Sequence, residues 1–80
     1  MLVRKALGLA LTTIREARGL QQQEVAAQVQ TTRGHLSRME RGGGDPRLTM
    51  MWRISTVLRV SPLVLMREIY KAYRILKAQS

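Results

Sequence analysis

At 80 residues the chain has room for one domain with one modest hydrophobic core. Hydrophobic residues make up 45% of it, yet Trp52, Tyr70 and Tyr73 are its only aromatics, so the core falls to Leu, Ile, Val, Met and Ala, a palette that favours helices. The absence of Cys excludes a disulfide framework and a thiolate metal site, and a lone His35 with few carboxylates cannot assemble a metal cluster.

Fourteen Lys and Arg against five acidic residues give a formal net charge of +9 and a pI near 11.6. A polyanionic partner is the first expectation, although anionic membranes and acidic proteins also attract basic surfaces. Arg outnumbers Lys by 11 to 3, and its planar fork matches phosphates and the O6/N7 edge of guanine. No window approaches the ~18 apolar residues of a membrane span. Met1 to Ile14 echoes a signal peptide, with Arg4 and Lys5 ahead of an apolar stretch, but Thr12 and Thr13 interrupt it and no convincing cleavage site follows. A cytoplasmic, nucleoid-associated protein without a cofactor or small-molecule ligand is expected.

In chain order, Val3, Leu7, Ala10, Leu11, Ile14 and Ala17 share one helical sector, predicting a first helix over about Leu2 to Arg18 that Gly19 stops. Gln22 to Gln28 reads as a two-turn helix with Val25, Ala26 and Val29 inward and Glu24 near its positive N-terminal dipole. Thr31 and Thr32 are candidate caps for a third helix reaching about Arg41, ended by Gly42, Gly43 and Gly44. After an Asp45-Pro46 turn, Leu48, Met51, Ser55 and Leu58 line a fourth helix, flanked by Ile54. Ser61 caps a fifth, with Pro62 at its first position, running to about Ala78. The expectation is a single all-α domain of five helices spanning residues 1–80.

Two short helices joined by three or four residues, over about Gln21 to Arg41, form a geometry in which one helix braces another that projects from the surface. On the third helix Leu36 and Met39 point inward, while Arg33, Gly34, Ser37, Arg38 and Arg41 share an outward arc of about 140°. Such a face fits the DNA major groove, Arg33 and Arg38 reaching base edges and Arg41 a phosphate. The alternative is a solvated basic helix. His35 has no carboxylate to orient it and no nucleophile beside it, so catalysis is not expected.

The runs Leu20-Gln-Gln-Gln-Glu-Val-Ala26, Thr31-Thr-Arg-Gly-His-Leu-Ser-Arg-Met-Glu-Arg-Gly42, Pro46-Arg-Leu48 and Leu58-Arg-Val-Ser61 resemble the Cro/CI-type, or XRE, helix-turn-helix family, over about Leu7 to Met66. The resemblance implies a lambda-repressor-like fold that binds double-stranded DNA. It implies that Gln22 contacts phosphate and braces the third helix, that Thr32, Arg33, Gly34 and Arg38 face the groove, and that His35 and Ser37 touch phosphate. It also pairs Arg15 with Glu40 in a partly buried structural ion pair. The sequence departs from the family at Gln30, where a Gly is usual and a left-handed backbone is expected, and at Thr31, where the family often has an apolar residue. Gly34 brings no side chain to a reading position.

The fifth helix carries more apolar residues than one face buries in so short a chain. Leu65, Met66, Ile69, Tyr73 and Leu76 are spaced for helix packing across a twofold axis, and a homodimer would present two reading helices to half-sites ~34 Å apart. Arg67, Lys71, Arg74 and Lys77 lie on its polar side. The reading is a prokaryotic, phage or plasmid repressor or activator on a palindromic operator, similar to restriction-modification controllers. A protein-interaction module of antitoxin type, clamping a partner with this helix, is the alternative; membrane binding is not expected.

Overall fold

Five α-helices, α1 (Leu2–Ala17), α2 (Gln22–Gln28), α3 (Arg33–Glu40), α4 (Leu48–Val57) and α5 (Pro62–Gln79), make up the fold in a computed structural model that describes all 80 residues. The first four end alike, each with a residue in the left-handed region: Gly19 (φ 69°), Gln30 (φ 62°), Gly42 (φ 86°) and Arg59 (φ 61°). In every case that residue's N–H and the next one's return to carbonyls of the last turn, as in Leu20 to Arg15, Thr31 to Ala26, Gly43 to Arg38 and Val60 to Ser55. The backbone reversals thus satisfy carbonyls the helix leaves unpaired. Gln30 adopts the left-handed conformation expected of it, and Arg59 is a second non-glycine residue there.

The helix starts are equally local. Glu24 Oε1 accepts from the Gln21 N–H at 2.9 Å, Thr32 Oγ1 accepts from the His35 N–H at 3.0 Å, and Ser61 Oγ accepts from the Val64 N–H at 3.1 Å. Each satisfies a donor that the first turn leaves free. Of the two candidate caps for α3, Thr32 is the one used; Thr31 Oγ1 instead lies 2.8 Å from His35 Nδ1.

All five helices converge on one core, with Leu11, Val25, Val29, Leu36, Met39, Ile54, Leu58 and Leu65 fully buried. The longest helices, α1 and α5, pack most extensively on each other, and α1 also packs on α3. That double contact turns α1 differently from the apolar sector read in the sequence: Ala6 and Gly8 are buried, while Val3 and Ala17 are exposed. Gly8 sits where α1 meets the end of α3, and a Cβ there would come within 2.5 Å of the Glu40 carbonyl oxygen and 2.7 Å of that of Met39. On α4, Ile54 and Ser55 are the buried residues, and Leu48, expected on the inner face, is exposed at the start of the helix.

The expected dimer stripe on α5 is divided by this packing. Leu65 and Ile69 are buried in the chain's own core, and Tyr73 and Leu76 pack partly against it. These four complete the contact with the rest of the domain, so periodicity intended for a partner helix is satisfied largely by α1. Met66 alone of the five remains exposed, joined on the surface by Val3, Leu48 and Tyr70. The four apolar side chains border two adjoining open hollows of about 280 and 250 Å³, between α5 and the starts of α1 and α4. No single helix is long and apolar enough to cross a membrane.

Candidate nucleic-acid interface

Helix α3 is only eight residues long, too short to be stable alone, so its position depends on what holds it. Leu36 and Met39 anchor one side in the core. The C-terminal end is fixed by a polar cluster. Arg15 Nε and Nη2 donate to Glu40 Oε2 and Oε1 at 2.7 and 3.1 Å, Arg15 Nη1 donates to the Leu20 carbonyl at 2.7 Å, and Gln22 Nε2 donates to Glu40 Oε1 at 2.8 Å. The two charged side chains are 11% and 5% exposed, which marks this as a nearly buried bidentate pair. Its hydrogen bond to Glu40 raises the Arg15 pKa above the ordinary arginine value; burial opposes that shift, and the charges of Glu40 and Glu16 add to it. One carboxylate therefore ties α1 and α2 to the end of α3.

With its apolar side seated, α3 turns Arg33, Gly34, His35, Arg38 and Arg41 to solvent, with Ser37 half-buried between them. Arg41 Nη1 donates to Ser37 Oγ, and Arg38 Nε donates to the Gly43 carbonyl at 3.1 Å. No atom lies within 4 Å of where a Cβ on Gly34 would stand, leaving an open notch in the first turn.

The family model for helix-turn-helix proteins matches residues 11–65, more than half the chain, with α2 and α3 in its interior. The chain belongs to the XRE-type helix-turn-helix family of DNA-binding transcription regulators. The clp gene regulator ClgR from Corynebacterium glutamicum is similar, with 28% identity and a TM-score of 0.93 over 99% of this chain and 84% of that one. The restriction-modification controller C.AhdI from Aeromonas hydrophila is 27% identical, at a TM-score of 0.73 over 82% and 94%. The controller C.Esp1396I, seen as a tetramer with its natural 35-base-pair operator, is 20% identical, at 0.82 over 91% and 96%; at that identity the likeness concerns the fold alone. No curated protein matches the chain by sequence. No enzymatic family is indicated.

In this helix-turn-helix chain the expected groove residues Thr32, Arg33, Gly34 and Arg38 come together on one surface with the expected phosphate contacts His35, Ser37 and Arg41. Gln22 is half-buried and its amide is directed to Glu40, so the bracing part of its expected role has a visible partner.

The sequence reading missed a second basic group. Arg47, Thr49 and Arg53 lie beside His35 around an open hollow of about 420 Å³ between α3 and the start of α4. Arg47, the N-cap of α4, makes no side-chain hydrogen bond to it, so the N–H groups of the first turn lack a side-chain acceptor at the positive end of the helix dipole. Asp45 borders the same hollow, and its charge is offset by Arg4 at 3.2 Å. Thr49 and Arg53, four apart on one helix, were the signal in the sequence; their nearness to His35 is tertiary.

Proposed function

We propose that the chain regulates transcription by binding a palindromic operator as a homodimer, inserting α3 of each copy into successive turns of the major groove. The observation that carries this reading is the arginine face of α3, exposed on a helix whose opposite side and C-terminal end are fixed by the core and by the Arg15–Glu40–Gln22 cluster. Arg33 and Arg38 supply base discrimination, because a guanidinium fork spans the O6/N7 edge of guanine. His35, Ser37 and Arg41, with Gln22, contact backbone phosphates and set the register, while Thr32 faces the groove; Arg47, Thr49 and Arg53 extend the phosphate contact along one strand. Gly34 faces the groove as a notch.

Two copies are needed because one short helix reaches too few bases for a specific site. The patch of Met66, Tyr70, Val3 and Leu48 supports the pairing, since exposed apolar side chains gathered around adjoining hollows favour burial against another surface. Selection of bound duplexes from random DNA, with sedimentation of the complex, tests the reading. Two half-sites of dyad symmetry about 10 base pairs apart, bound by two chains, are expected. A single asymmetric site bound by one chain, or binding without sequence preference, refutes it.

A further inference from the structure

Arg38 and Gly43 hold each other by two reciprocal hydrogen bonds. The Gly43 N–H donates to the Arg38 carbonyl at 2.9 Å, closing the end of α3, and the Gly43 carbonyl accepts from Arg38 Nε at 3.1 Å. The reason for a glycine at this position lies in that contact. Gly42 has a φ of 86°, which glycine adopts without steric cost, but residue 43 is not in the left-handed region, so its φ does not call for glycine. A Cβ at Gly43 would stand 3.1 Å from Arg38 Cγ and 3.4 Å from the Arg38 carbonyl oxygen, so the side chain that folds over it would have to shift by a few tenths of an ångström.

The chemistry of the guanidinium gives the arrangement its consequence. Arginine presents five N–H groups, and the end-on pair on Nη1 and Nη2 suffices to grip O6 and N7 of guanine. Engaging Nε alone fixes the plane of the group and leaves that pair free. We propose that Gly43 is a positioning residue for base reading: its carbonyl holds the Arg38 guanidinium as a preformed fork before DNA arrives. The proposal rests on Arg38 being a base-reading residue and assigns the triple-glycine turn a part in specificity. A long side chain already confined to one arrangement loses less rotamer freedom on binding.

The test uses the full chain and a duplex selected by it from random DNA, alongside copies in which each half-site guanine in turn is replaced by 7-deazaguanine, which lacks the N7 acceptor. Binding is followed by fluorescence anisotropy. The wild-type chain is expected to lose at least about 5-fold in affinity at one guanine, and Arg38→Ala to abolish that sensitivity. Gly43→Ala is expected to weaken selected-duplex binding about 3- to 10-fold and to blunt the same sensitivity, with random-duplex affinity and melting temperature unchanged. A chemically synthesised chain with an ester in place of the Gly43–Gly44 amide, which weakens the Gly43 carbonyl as an acceptor and adds no atom, is expected to behave likewise even if Gly43→Ala disturbs folding. If Arg38→Ala abolishes the sensitivity while both residue-43 changes leave it intact, positioning by Gly43 is refuted and base reading by Arg38 stands. If no guanine depends on Arg38, both fall.

Discussion

Removing the Glu40 carboxylate is the most demanding test of how α3 is held. In Glu40→Ala, Arg15 loses two of its three hydrogen bonds, keeping only the Leu20 carbonyl, and the Gln22 amide loses its partner. The nearest remaining carboxylate oxygen, on Glu16, is 3.9 Å away and belongs to an exposed side chain. Breaking a buried pair by deleting one member costs about 3–5 kcal/mol, and the residual exposure of Arg15 puts this case near the lower end. Against a total stability of about 4–12 kcal/mol for 80 residues, a loss of about 3 kcal/mol is large. In urea titrations followed by circular dichroism, the midpoint should fall by about 2 M with an unchanged slope, given slopes of about 1–2 kcal/mol/M for a small domain. The double variant Arg15→Met with Glu40→Leu should recover most of that loss, since apolar side chains remove the unpaired charge. A midpoint shift under about 0.5 M for Glu40→Ala would show that the pair is not what fixes α3.

Three further predictions address other parts of the fold. Gly8→Ala should cost about 1–3 kcal/mol, because the new methyl meets backbone carbonyls that cannot rotate aside; calorimetry should show a melting temperature lower by about 4–8 °C per kcal/mol, and an unchanged value would refute the close approach. Gln30→Gly should stabilise the chain by about 0.5–1 kcal/mol by relieving a side chain from a left-handed backbone, whereas destabilisation in the same melt would contradict that geometry. Arg53→Ala should reduce the salt slope of DNA binding by about 0.9 on selected and random duplexes alike, as expected of one lost phosphate contact; loss confined to the selected duplex would make Arg53 a base reader.

What the sequence disclosed and what it withheld divide along the range of the interactions involved. Caps and stops depend on neighbours within five residues, so Thr32, Ser61, Gly19 and Gly42 are legible from order alone, whereas the strained Gln30 stands out only against the family pattern. Arg15 and Glu40 are 25 residues apart, and nothing local in the chain joins them; only resemblance to the family did. Gly8 looks like an unremarkable helix interruption until α3 is laid across it. The stripe on α5 had the right period for helix packing, but periodicity reports that a face will be covered and not which helix covers it. Arg47, Thr49 and Arg53 lie off the apolar face of α4 that periodicity reveals, and their grouping depends on where α3 places His35.

These pieces make one mechanical statement about α3. Its N-terminal turn is fixed by Thr32, its buried side by Leu36 and Met39, and its last residue by a carboxylate shared between α1 and α2. Beyond that end, Gly44 is buried against Met39, where a Cβ would collide with the Met39 side chain, so the glycine turn is itself seated on the core. The Gly43 carbonyl that meets Arg38 is therefore mounted on the same rigid body as the helix it serves. With Arg33 and Arg38 reading bases as proposed, a helix of eight residues free to rock would spread them over several base positions, and discrimination of about 1–3 kcal/mol per bidentate contact requires that it does not. Damage at Gly8 or Glu40 should therefore weaken specific binding more than random-sequence binding, although neither residue lies on the exposed arginine face.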